Sequence, residues 1–360
     1  TGRIDKTVAA LIGGTAVVLL GIVSQEEAFG AIDLNVIFLL AGMMVMAGIL
    51  RRTGFFQWVA IRSVKVAGGD PFRLLIVLST VCALLSAVLD NVTTVVLIAP
   101  VTIYIATVLR VSPVPFLISE ILASNIGGTA TLIGDPPNIL IGSAADLGFV
   151  DFLANMTPIA AAILLVYLVM LRFMFGRQLS VHADVRADVL ALDEREVLSD
   201  VGLMRLSLAV LGATIVGFVF AMPLGLEAGT IALFGAAFIT LVSRLDVESV
   251  FREVEWPTLF FFVGLFMLVE AVVHVGIIDA LATWLLELTG GDPTVTTLGL
   301  LWLSGIASAI IDNIPYTATM IPVVEQFGAG GLPIEPLWWS LALGACLGGN
   351  FTIVGASANV

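Results

Sequence analysis

Charged side chains are scarce in this chain. Lys and Arg number 15, Asp and Glu 28 and His two, and only 12% of the 360 residues are Asp, Glu, Lys or Arg. With a net charge of −13 and no basic patch interleaved with aromatics, a nucleic-acid partner is excluded. Cysteine is nearly missing too. Cys82 and Cys346 both lie in apolar runs, cannot build a disulfide framework, and read as buried structural residues. No spacing fits zinc and no nucleophile–base constellation stands out, so no metal site, cofactor or enzymatic activity is expected. No cleavable signal peptide is evident, because the first apolar run, 7–23, is long enough to span a bilayer. Apolar residues fill the space that charge leaves: 59% of the chain is hydrophobic and the mean hydropathy is +1.11. These values exclude a soluble globular domain and predict an all-α polytopic membrane protein with the lipid bilayer as its main partner.

The apolar runs lie at about 7–24, 34–50, 74–89, 92–109, 114–145, 152–175, 206–224, 229–243, 257–275, 294–311, 314–324 and 337–360. A full helical span takes roughly 20 residues. Runs 74–89 and 92–109 are parted only by Asp90-Asn91, and runs 294–311 and 314–324 only by Asp312-Asn313. Two residues cannot form an aqueous loop between two full spans, so each pair reads as a re-entrant hairpin, 74–109 and 294–324. Suppose residues 1–6 are cytoplasmic, each long run crosses once and each hairpin returns. All 15 basic residues, from Arg3 and Lys6 to Arg244 and Arg252, then fall on the cytoplasmic side, as the positive-inside rule asks. The first hairpin opens to the cytoplasm and the second to the outside, in a plasma (inner) membrane.

The chain repeats itself. Asp33 matches Glu255, Gly42 matches Gly264, Gly54 matches Gly276, Gly68-Gly69-Asp70-Pro71 matches Gly290-Gly291-Asp292-Pro293, Asp90-Asn91 matches Asp312-Asn313, and Pro100 matches Pro322, all 222 residues apart. The halves are 1–176 and 204–360, joined by a polar segment, 177–203, read as a solvated cytoplasmic linker. Runs 55–66 and 277–288 correspond as amphipathic interfacial helices. Because the copies start on opposite sides of the membrane, the repeat is inverted, a hallmark of secondary transporters. The second copy stops inside its last helix, so further residues are expected beyond the sequence, most clearly at its C-terminal end.

Polar residues gather where hydropathy places the membrane. The stretch from Glu120 to Asn138 carries Asn125, Gly127, Gly128, Thr129, Thr131, Asp135 and Asn138 around a Pro-Pro pair, and Gly348, Gly349, Thr352, Gly355 and Asn359 return in register at an offset of 221, with Asn350 in the place of Thr129. Glycine and proline break a helix here, giving broken helices at 114–145 and 337–360. Unwound backbone at membrane depth survives only inside protein or around a wet cavity, so the two breaks predict a transport site. Asp90 and Asp312 at the hairpin tips cap the following helices, or cap them and also touch proton or substrate; Asn91, Asn313, Thr93 and Thr317 complete a neutral lining. Asp135 meets Ala356 and Glu120 meets Leu341 in the other copy, so these two carboxyls are the one-sided candidates for carrying protons, Asp135 first, with a surface position left open for Glu120. Glu270 and His274 read as interfacial.

Asp-Asn-Val-Thr-Thr-Val at 90–95, with Asn-Ile-Gly-Gly-Thr-Ala-Thr-Leu-Ile-Gly-Asp-Pro-Pro-Asn at 125–138, resembles the arsenite permease / sodium–proton antiporter (ArsB/NhaD) family of the ion transporter superfamily. The resemblance covers nearly the whole chain. It implies a scaffold domain, a transport domain with two hairpins and two broken helices, and a homodimer; a cytoplasmic ATPase partner is left open. In the superfamily's dicarboxylate symporters the tips carry Ser-Asn-Thr, whereas here they read Asp90-Asn91-Val92 and Asp312-Asn313-Ile314, and paired carboxylates would repel a dianion. The first expectation is therefore proton-coupled efflux of a small inorganic substrate, arsenite or antimonite. The alternatives are a sodium–proton antiporter, with Asn125 and backbone carbonyls holding sodium, and a sodium-coupled organic anion (dicarboxylate) carrier. A channel would not require two opposed hairpins.

Overall fold

A computed structural model of the chain describes residues 5–176, 179, 190 and 193–359, and among these there is no β-strand. Arg3, most of the segment 177–192 and the acidic residues Asp184 and Asp188 within it lie outside the described residues. The first half forms α1 (Lys6–Leu19), α2 (Leu34–Arg52), α3 (Phe55–Val66), α4 (Pro71–Ser86), α5 (Asn91–Val108), α6 (Val114–Gly128), α7 (Pro136–Ala145) and α8 (Thr157–Phe175). The second forms α9 (Val201–Ala221), α10 (Ala228–Ser243), α11 (Trp256–His274), α12 (Ile277–Thr289), α13 (Pro293–Ile310), α14 (Asn313–Ala329) and α15 (Ile334–Gly348).

The sparse carboxylates punctuate this all-helical chain. Asp5, Asp33, Asp70, Asp90, Asp200, Asp292 and Asp312 each sit just before a long helix and accept a hydrogen bond from its first amides, offsetting donors that have no partner inside the helix. Six helical stretches are long and apolar enough to cross a membrane: Leu34–Arg52, Asn91–Val108, Thr157–Phe175, Val201–Leu224, Trp256–His274 and Pro293–Ile310. Residues Pro136–Ala145 and Phe149–Asn155, bent by 114°, make a seventh if taken as one span. Leu165, Val169 and Phe173 on α8 are exposed, as side chains facing lipid are.

The repeat returns in three dimensions. α1 packs on α11, and α10 packs on α2. A Cβ on Gly42 would come 2.7 Å from the Ala232 carbonyl oxygen, and one on Gly264 would come 2.6 Å from that of Ala10. Each half lends a helix to the other at the same register, so the two crossings are copies. Gly54 and Gly276 open α3 and α12 with φ of 81° and 77°, a left-handed turn that side chains resist. In each hairpin the first arm packs chiefly on the broken helix, α4 on α6 and α13 on α15.

Two expectations change, and one residue gains a role. The second hairpin's second arm is not an 11-residue run. It continues through Pro322 to Ala329 as a 17-residue helix, just as Pro100 is carried inside α5. The described end of the linker is not merely solvated. Glu194 pairs with Lys65 and, at 3.3 Å, with Arg62, while the Ser199 amide donates to the Thr53 carbonyl at 3.0 Å. It thus straps α3, whose cations are spent on protein. Lys6 stands just ahead of the first apolar run in the sequence. It is the first residue of α1, and its ammonium reaches the tip of the second hairpin.

Candidate functional site

The site is built where the two helix breaks face each other. After α6 the chain leaves helical geometry at Thr129–Asp135 and restarts at Pro136, where proline suits the first helical turn because it lacks an amide donor. After α15 it continues in short 3-10 turns at Gly349–Phe351 and Ser357–Asn359. Both breaks are tied to a hairpin in the same way. The Asn91 amide donates to the Gly134 carbonyl and the Asn313 amide to the Gly355 carbonyl, both at 3.1 Å. Ser86 Oγ donates to the Ser124 carbonyl at 2.7 Å, and Ser308 Oγ to the Ala345 carbonyl at 2.6 Å. A Cβ on Gly127 would run into the Ala83 carbonyl, and the Gly348 position abuts Gly305 in the same manner.

Four amides form the centre. Asn125, fully buried, accepts from Asn91 Nδ2 at 3.0 Å and donates across the halves to Asn350 Oδ1 and Asn359 Oδ1, both at 2.9 Å. Asn359 returns its own Nδ2 to the Gly349 and Thr352 carbonyls. Asn138 does the same in the first half, donating to the Gly128, Thr129 and Thr131 carbonyls. Its oxygen accepts from Cys346 Sγ at 3.4 Å. Cys346 stands at the position of Asn125 in the other copy, so each half sends one donor into the other's break.

Carboxyls flank the amides. Asp135 is 1% exposed; its Oδ1 accepts from Asn313 Nδ2 at 3.3 Å, and its Oδ2 has no partner among the described residues. Asp90 and Asp312 do cap their helices, at 2.7 Å to the Thr93 amide and 3.2 Å to the Ile314 amide. Asp312 uses its second oxygen as well, accepting from Lys6 Nζ at 3.2 Å and Ser357 Oγ at 3.1 Å.

Other predicted residues play different parts. Thr131 and Thr352 donate to the Ala87 and Ala309 carbonyls and brace the breaks against the hairpins. Thr129 bonds the Asn125 carbonyl one turn back. Gly127, Gly128, Gly348 and Gly349 give close backbone approach rather than ligand groups. Thr93 lies in a separate crevice with Arg51, Glu253 and Glu255. Thr317 is buried with its hydroxyl unpartnered among the described residues. Glu120 is not a surface residue: it is 1% exposed on α6 and accepts from Thr102 Oγ1 at 2.6 Å. Sequence reasoning missed Lys6, Ser357, Thr102 and the polar contact of Cys346. The repeat register could have pointed to Cys346 as the mate of Asn125, whereas nothing local marks Lys6.

An all-helical membrane fold whose halves duplicate each other, and whose buried polar groups meet where both halves unwind, defines a secondary membrane transporter. Residues 1–344 match the family model described as citrate transporter (CitMHS), and the chain belongs to that family. It is 46% identical over 365 residues to an uncharacterized transporter of Mycobacterium tuberculosis (strain H37Rv), covering 99% of this chain and 85% of the relative. A 46 kDa membrane protein of Mycobacterium leprae is 44% identical over 366 residues, with 99% and 85% covered. The P protein of Homo sapiens is 32% identical over 442 residues, covering 99% of this chain and 53% of that protein. The family shown is thus the citrate transporter family, and the narrower likeness to arsenite permeases rests on the motifs at 90–95 and 125–138 alone.

Proposed function

We propose that the chain is a proton-coupled transporter of small organic carboxylates of the citrate kind, bound at the amide junction between the halves. The observation that carries this reading is Asp135, buried in one half, hydrogen-bonded to Asn313 of the other, with one oxygen left over. A carboxylate at membrane depth costs about 2.5–3.5 kcal/mol on insertion scales, and taking up a proton removes that cost. An anion arriving beside Asp135 repels its charge and so favours its protonation. By reciprocity, protonation favours the anion. The same repulsion that argued for an uncharged substrate becomes the source of coupling. In this reading 74–109 and 294–324 are re-entrant from opposite faces, the halves are inverted in an inner membrane with the 193–200 side cytoplasmic, and access alternates about the junction. Dimerisation is proposed on the resemblance alone.

A second reading is arsenite efflux. It draws support from the four neutral amides, which suit an uncharged hydroxylated solute. Proteoliposomes with an imposed proton gradient separate the readings. Citrate uptake that dissipates the gradient is the expected result. Collapse on arsenite but not citrate favours the second reading, and collapse on sodium alone favours a sodium–proton antiporter.

A further inference from the structure

The polar junction is acidic on both sides, and among the described residues one cation, Lys6, pairs with a carboxylate at a hairpin tip. Of the ion pairs seen among the described residues, only that of Lys6 involves a carboxylate at a hairpin tip; those of Arg51, Arg52, Arg62, Lys65 and Arg252 lie elsewhere. Lys6 Nζ stands 2.7 Å from Ser357 Oγ and 3.2 Å from Asp312 Oδ2, and its charge lies 5.2 Å from the centre of the Phe261 ring. The three polar groups form a closed triangle, since Ser357 itself lies 3.1 Å from Asp312. The Lys6 side chain is 49% exposed and that of Asp312 20%.

Two features show that helix building does not call for this lysine. A cation in the first turn of a helix faces the positive end of the helix dipole, an unfavourable place. Asp5 already caps α1, and Thr7 Oγ1 donates to the Pro257 carbonyl at 3.0 Å, so the end of α1 is seated without Lys6. The repeat makes the second point. Position 6 corresponds to Ala228, the first residue of α10, where the same crossing is made with no charge. The charge is also complementary to an asymmetry among the acids: Asp135 matches Ala356 in the repeat, so the half that lacks this acid is the half that receives the cation.

We propose that Lys6 is the residue that selects anionic substrates, exchanging Asp312 for a substrate carboxylate when the solute binds between Ser357 and the hairpin tip. The inference rests on the organic-carboxylate reading above. Lys6 supplies the attractive charge and Ser357 a hydroxyl donor, while Asp312 is released from its ion pair and keeps its cap on the Ile314 amide. Because Lys6 rides on α1, packed against α11, while Asp312 and Ser357 belong to the second hairpin and break, the exchange also frees the tip to move.

The test uses purified protein in liposomes with radiolabelled citrate. Lys6→Ala is expected to raise KM for citrate about 10- to 100-fold while the maximal rate changes much less, and Lys6→Arg to retain most of the affinity. Lys6→Cys should behave like Lys6→Ala and recover when treated with an aminoethylating thiol reagent that restores the ammonium, but not with a methylating one. Cys82 and Cys346 are buried, so reaction falls on position 6. Unchanged KM with a slower rate would make Lys6 a latch and overturn the assignment, as would recovery with the methylating reagent. If Lys6→Ala does not fold, the treated and untreated Lys6→Cys protein, already assembled, decides the matter. No citrate uptake by the wild-type protein would overturn the functional reading itself and this inference with it, an outcome distinct from active wild type with an indifferent Lys6.

Discussion

The two breaks of this protein share a scaffold and differ in chemistry. At 127–138 and 348–359 the same amide-to-carbonyl ties and the same close glycine packing recur, at 3.1 Å in both hairpin contacts. Yet the first copy holds Asp135 where the second has Ala356, the first holds Asn125 where the second has Cys346, and the second alone receives Lys6. What is duplicated builds the fold, and among what is not duplicated Asp135 and Lys6 add charge to one half each. A further contrast sits behind the breaks. Glu120 and Thr102 form a buried acid–hydroxyl pair in the first half, and the matching Leu341 and Val324 are both fully buried apolar residues.

That comparison can be broken most severely at the shared scaffold. Gly127→Val and Gly348→Val both drive a side chain into backbone, of Ala83 and of Gly305, so each should cost at the upper end of the about 1–3 kcal/mol typical of overpacking and abolish uptake. Thermal unfolding in detergent, run beside uptake, checks this; a normal Tm in either would show that the close approach is not needed. Next comes the amide that joins the halves. Asn125→Ala strands a group of the buried Asn91, at about 1–3 kcal/mol for an unpaired buried group, and groups of the half-buried Asn350 and Asn359, and uptake should fall about tenfold or more. Cys346→Ala, its mate, removes one weak thiol donor and should cost much less.

Smaller effects sharpen the contrast behind the breaks. Replacing Glu120 and Thr102 together by leucine and valine imports the second half's solution, and a buried polar pair exchanged for apolar residues of similar volume is often neutral or stabilising. The expected Tm is unchanged or higher, with proton-driven uptake retained; loss of coupling would place Glu120 in the proton path. Smallest is the strap on α3. The Glu194 carboxyl is held below its ordinary range, chiefly by the hydrogen bond from Lys65. A depressed carboxyl contributes above its unfolded value, about 4.3, and loses the contribution as pH falls through its folded value. Glu194→Gln should therefore lower Tm slightly at neutral pH, with the difference shrinking below about pH 4.

Much of this was legible in the sequence because lipid leaves few options. A run of apolar residues must be helical, and an Asp before it must cap, so the caps at Asp90 and Asp312 and the breaks after Gly128 and Gly348 follow from residue type. The 222-residue register pairs residues that make matching contacts in the two halves, Gly42 on Ala232 and Gly264 on Ala10 among them. Lys6 was not legible, since a cation counts the same in a topology sum whether it meets water or a hairpin tip 306 residues away. Nor was the division among the threonines, because one hydroxyl braces backbone and another lines a crevice according to direction, which spacing does not encode. Substrate class was not legible either, because the charge a solute meets depends on neighbours such as Lys6 beside Asp312, which spacing does not reveal.

The account turns on Asp135 carrying the proton in one half only, and Asp135→Asn in proteoliposomes addresses that directly. Citrate accumulation driven by a proton gradient should be lost, while exchange of labelled for unlabelled citrate across a membrane without a gradient persists, because asparagine keeps an acceptor for Asn313 and cannot release a proton. Accumulation by Asp135→Asn at the wild-type level, with the same dependence on the gradient, would contradict it.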